Sequence, residues 1–202
     1  MSSALNVSNL TAAAGTGTIQ VDSASVLYAP GHIIQVVQAV KTDSWSAAPG
    51  ANQFIEIPGY AASITPKSLN SKIVVSVDLY LGMSGYNSQI RVMRNFQGLP
   101  TTTTQSVPVW LFGGNNGAPV SSRPSTTFYS NYYPSAAVTY VCARAGGQFV
   151  DSPNTLSPCM YTVQVKDYST YIIYVNRSSQ FLDTTDRDGC GISTITLMEI
   201  AQ

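Results

Sequence analysis

The one histidine in the chain, His32, sits at the mouth of an apolar run. A nucleophilic triad built on it needs a carboxylate to orient the ring and a serine in a strained GxSxG-type elbow, and no such elbow occurs. Glycoside hydrolysis needs two opposed carboxylates whose pKa values are driven apart. The glutamates are Glu56 and Glu199, beside eight aspartates. Glu56 lies in a short apolar run and Glu199 in the last strongly β-forming run, so both are expected to face outward from strands. Carboxylates gather once, in Asp183-Thr-Thr-Asp186-Arg187-Asp188-Gly189. Its Asp-x-Asp-Gly end matches part of a calcium loop, but the closing acidic residue is absent and Arg187 offers a partner that needs no metal, so a polar turn is expected. Cys142, Cys159 and Cys190 are an odd number without any CxxC, which suits buried free thiols better than disulfides or zinc. Gly15-Thr-Gly17 lacks the lysine of a phosphate loop. No catalytic residue, cofactor or metal is expected.

The remaining chemistry is aromatic. Between Thr126 and Pro134 stand Phe128, Tyr129, Tyr132 and Tyr133, with Asn131 among them. Flat rings beside amides and hydroxyls can stack on a sugar face and bond its hydroxyl groups without net charge. The same rings could equally pack between subunits or cover one end of the domain. Tyr60, Tyr80, Tyr86, Tyr168 and Tyr171 add to the supply.

Whatever chemistry these groups perform, the elements that hold them must be strands. The chain has 202 residues, enough for one domain with a core, and only 10% of them are charged, balanced to a formal net charge of zero. Serine, threonine, tyrosine, glycine and proline dominate in place of the strong helix formers. Nucleic-acid binding is disfavoured because no basic run exists to neutralise phosphates. No window has the apolar length of a membrane span, and the N-terminus lacks the pattern of a secretory signal.

Residues 1–30 are small and polar and cannot bury enough surface to fold alone, so they read as an extended attachment arm ahead of a head domain at 31–202. In the run 72–81, Ile73, Val75, Val77, Leu79 and Leu81 alternate with polar residues, the mark of a half-buried strand. The run 32–42 is apolar enough to suggest burial on both faces. The runs 161–166 and 171–175 are separated by a hairpin-length link, weaker strands are expected at 53–57, 89–93, 107–111 and 137–143, and a strong one closes the chain at 193–200. These roughly nine strands, with turns between them and no helix-period segment, predict an all-β fold, a β-sandwich or jelly-roll-like domain. The closing strand should lie inside a sheet, since an uncharged edge would template aggregation. Segments 97–105 and 113–133 are expected to be long loops. A weakly charged all-β chain stays soluble most readily when copies of itself cover its edges, so self-association is expected.

Six segments taken together resemble a known family. They are Gln35-Val-Val-Gln-Ala-Val-Lys-Thr-Asp43, Ile64-Thr-Pro-Lys-Ser-Leu-Asn-Ser-Lys-Ile73, Phe149-Val-Asp-Ser-Pro153, Tyr161-Thr-Val-Gln-Val165, Tyr174-Val-Asn-Arg-Ser178 and Ile192-Ser-Thr-Ile-Thr-Leu-Met-Glu-Ile200. In this order, over residues 30–202, they are similar to a domain at the C-terminal end of fibre and other structural proteins of marine bacteriophages, cyanophages above all. The resemblance implies a virion component exposed on the particle surface as a homotrimer, and it brings no catalytic residues. A chain that starts at Met1 with only a short arm departs from the long stalk that usually precedes this domain. That favours a short fibre or a capsid-decoration subunit, tied to other virion proteins through residues 2–29. The alternative is a carbohydrate-binding adhesin that recognises host surface glycan through Phe128, Tyr129, Asn131, Tyr132 and Tyr133; a hydrolase using Glu56, Asp183 or Asp186 is the least supported reading.

Overall fold

A computed structural model describes residues 29–50, 53–83, 87–96, 107–109, 126–131, 142–167, 171–180, 189 and 191–202. The strands are β1 (Ile33–Lys41), β2 (Trp45–Ala47), β3 (Ile55–Ile64), β4 (Lys72–Met83), β5 (Asn87–Phe96), β6 (Val107–Val109), β7 (Phe128–Asn131), β8 (Ala143–Asp151), β9 (Cys159–Asp167), β10 (Ile173–Val175) and β11 (Ser193–Ile200). They form two antiparallel sheets. Sheet A runs β1-β11-β4-β10-β2 with β8 also paired to β4, and sheet B runs β3-β9-β5-β6 with β7 also paired to β5. The chain is an all-β sandwich.

Alternation builds the core. Ile73, Val75, Val77, Leu79 and Leu81 of β4 point inward, each at most 3% exposed, as their spacing predicts. From sheet A they are joined by Ile195 and Leu197, and sheet B supplies Ile57, Ile64, Ile90, Val92, Val163 and Val165. Burying each such side chain contributes about 1.5–3 kcal/mol. Tyr60 spans the two layers: its ring is buried and its hydroxyl reaches the carbonyls of Asp78 (2.9 Å) and Thr194 (2.7 Å) in sheet A. Burial pushes the Tyr60 hydroxyl well above its usual pKa, so it stays a donor.

The closing strand β11 lies inside sheet A, between β1 and β4. Three expectations need correction. β1 is not buried on both faces, since Val36 and Val40 stay exposed on its outer side. β9 and β10 do not form a hairpin, since they belong to different sheets. The stretch 128–131, read as loop, is strand β7, because Ile90, Gln89, Ser88 and Asn87 of β5 pair with it residue by residue. The strand expected at 137–143 falls mostly outside the described residues, and β8 instead extends to Asp151. The arm at residues 1–28 also lies outside the described residues.

Candidate functional site

Of the aromatic candidates, Phe128 is half-buried, its ring 6.1 Å from that of Phe149 and tilted 46° to it, and so helps to close the space between the sheets. Backbone pairing fixes this segment beside β5: Thr127 donates its N–H to the Ile90 carbonyl (2.8 Å), and the Thr127 hydroxyl accepts from the Val92 N–H (3.0 Å). Tyr129 and Asn131 belong to the same strand, while Tyr132 and Tyr133 lie outside the described residues, as do Tyr86, Tyr168, Asp183, Asp186, Asp188 and Cys190. His32, Glu56 and Tyr171 are exposed and far apart in chain order. Among the described residues, no three His, Cys, Asp or Glu side chains are grouped as a metal would require.

Glu199 corrects the sequence reading. It faces inward with no exposure, because β11 continues the phase of Ile195 and Leu197. One carboxylate oxygen accepts from the Lys67 N–H (2.6 Å) and the other from the Gln35 amide (2.5 Å), so the group holds the β3–β4 turn and is spent on structure. The phase of the alternation, carried from Ile195 and Leu197 to Glu199, was the signal that sequence reasoning passed over.

A second carboxylate spans the sheets. Asp151, at the end of β8, pairs through one oxygen with Arg94 of β5 and accepts a hydrogen bond from the Tyr161 hydroxyl of β9 (2.6 Å). Burial, and then Asp151 itself, push the Tyr161 hydroxyl far above its ordinary range. Burial opposes the charge on Arg94, yet Asp151 outweighs it and the guanidinium is held more firmly charged. Nearby Cys159 has its thiol pushed up to about 11 by burial, with Arg94 only partly offsetting this, so it is protonated and unreactive at neutral pH. A third cluster centres on Asn176, whose φ of 58° turns its amide back onto the Lys41 (2.8 Å) and Asp43 (3.0 Å) carbonyls while Ser193 donates to it at 2.6 Å. These buried groups bond to one another.

The outer face of sheet A is different. Register aligns its outward residues in rungs across β1, β11, β4 and β8. One rung is Val36, Met198, Val74 and Val150, and a shift in register between Ile33 and Gln35 sets Ile33 opposite Ile200 beside it. Ile33, Val36 and Val150 are 44–57% exposed, an apolar band flanked by Lys72 of β4 in the Ile200 rung, while Val40, also exposed, stands apart in the rung of Thr194 and Asp78. The next rung is all amide and hydroxyl: Gln38, Thr196, Ser76 and Gln148, with the Gln38 amide donating to Thr196 at 2.9 Å. Beyond it Asp78 lies opposite Gly146 and accepts from Arg144 at 2.6 Å. Among the described residues, β1 and β8 each pair on one side only. This face, apolar at one end and polar at the other, is the candidate interaction surface, and sequence reasoning missed it by assigning β1 two buried faces.

No family model matches the chain, and no curated protein matches it. Among solved structures it is similar to that of infectious bursal disease virus, Gx strain, with TM-score 0.38 and 10% identity over 91% of this chain and 46% of that chain. It is similar also to T=1 particles derived from that virus (TM-score 0.37, 12% identity, 92% of this chain and 41% of that chain). The VP2 subviral particle gives TM-score 0.36 and 11% identity, over 92% of this chain and 42% of that one. The chain thus spans less than half the length of each, and a likeness this slight assigns neither a family nor a function.

Proposed function

We propose that this chain is a non-catalytic structural subunit of a virus particle, a short fibre or capsid-decoration protein displayed on the particle surface. Its sandwich associates with copies of itself, as a homotrimer, through the outer face of sheet A, and residues 2–29 tie it to other virion proteins. The observation that carries this reading is the exposed band of Ile33, Val36 and Val150 on the outer face of sheet A. With a formal net charge of zero, the chain has no charge repulsion to keep copies apart. The phage-like segments support the virion setting: five of them fall on or overlap β1, β8, β9, β10 and β11, and the sixth spans the turn from β3 into β4. Extended arms can add to a neighbour's sheet through backbone hydrogen bonds, an attachment that needs no large apolar patch.

The test is a chain lacking residues 2–29. It is expected to keep the circular-dichroism signature of a strand sandwich while no longer copurifying with particles. A truncated chain that still copurifies contradicts the arm's role, and a full chain absent from particles contradicts the virion reading itself.

A further inference from the structure

The polar end of sheet A's outer face encloses a groove of about 450 Å³, lined by Ser76, Val77, Arg144, Gly146, Gly147 and Gln148. Such a volume falls in the range of small-ligand sites. Position 146 must be glycine, since the backbone there has φ 145° and a Cβ would sit 2.0 Å from the Val77 carbonyl oxygen. Arg144 and Gln148 flank it on β8, with Ser76 and Asp78 alongside on β4.

We propose that this groove binds a neutral saccharide unit. The walls offer a guanidinium, a carboxamide and a hydroxyl, with the Asp78 carboxylate bonded to that guanidinium, groups that exchange hydrogen bonds with vicinal sugar hydroxyls. Asp78 accepts from Arg144, so the pair brings no net charge and gives a phosphate or uronate nothing to gain over a neutral ring. Arg144 is 70% exposed in its side chain, available to a ligand without rearrangement of the core. This inference goes beyond the structural-subunit reading and stands apart from it, since it concerns the polar end of the face and not the apolar band.

The test uses the full chain and ligand-observed saturation-transfer NMR with methyl glucoside, methyl galactoside, methyl mannoside and glucuronate. At least one neutral glycoside is expected to receive saturation, with glucuronate binding no more tightly. Combining Arg144→Ala with Gln148→Ala is expected to weaken that binding by about tenfold or more, the loss of two direct hydrogen bonds, one charged. The double variant's thermal midpoint serves as the folding control. Three results overturn the proposal: no transfer to any neutral glycoside, tighter binding of glucuronate, or transfer unchanged in the double variant. Sedimentation of the same variant separates this idea from the subunit contact. Loss of self-association there would assign the groove to copies of the chain and also overturn it.

Discussion

Asp151 and Asp78 each face an arginine, Arg94 and Arg144, and both carboxylates belong to the paired strands β8 and β4 of sheet A. Asp151 points into the sandwich, where its side chain is 9% exposed and that of Arg94 is 13% exposed. Asp78 points outward, and its partner Arg144 is 70% exposed. The odd and even positions of neighbouring strands therefore give one chemical pair two physical settings. Inside, the pair is short of water, shares Tyr161 and ties the two sheets together. Outside, water competes for both charges and the pair contributes little to folding. The inner face of sheet A thus carries stability, while the bonds along its outer face, such as Gln38 to Thr196 and Arg144 to Asp78, are shared with water.

The comparison breaks most sharply at Asp151. Asp151→Ala leaves the Arg94 charge uncompensated and the Tyr161 hydroxyl without its acceptor, and is expected to cost about 3–5 kcal/mol in urea denaturation. A cost below about 1 kcal/mol would remove the distinction between the two pairs. Next in size is the alkaline limb of stability. The Cys159 thiol has its pKa raised to about 11, so the stability linked to its buried neutral form is present below about pH 9 and is lost as pH rises through 11. The loss should be on the order of 1–2 kcal/mol, and Cys159→Ala should flatten that part of the stability-against-pH curve. Tyr161→Phe, which removes one hydrogen bond and keeps the ring, is expected to cost about 1–2 kcal/mol by the same denaturation. Smallest is Asp78→Ala, with under about 1 kcal/mol expected; a double-mutant cycle with Arg144→Ala should show correspondingly weak coupling.

Strand patterns carried much of this fold into view. The strict alternation of β4 set its buried residues, and the β-forming strength of 193–200 placed β11 inside a sheet. Glu199 was legible too, had the phase of Ile195 and Leu197 been carried two residues further in place of the rule that charges face water. Other features were not local properties. Nothing in 161–175 indicates that β9 and β10 join different sheets, because a link of that length suits a hairpin as well as a crossing. Val36 and Val40 look like core residues from their type, and only the register across β1, β11, β4 and β8 reveals that they share an open face. The groove was hidden for a related reason: Ser76, Asp78, Arg144 and Gln148 are ordinary surface residues until strand pairing sets 76 opposite 148 and 78 opposite 146.

In the reading proposed, copies of the chain cover the apolar band on sheet A's outer face. The decisive experiment is sedimentation velocity of the full chain beside a variant combining Val36→Lys with Val150→Lys. The unaltered chain should sediment as a trimer and the variant as a monomer, with the variant's urea stability changed by no more than about 0.5 kcal/mol. An unaltered chain that stays monomeric at micromolar concentration, or a variant that associates as before, would contradict it.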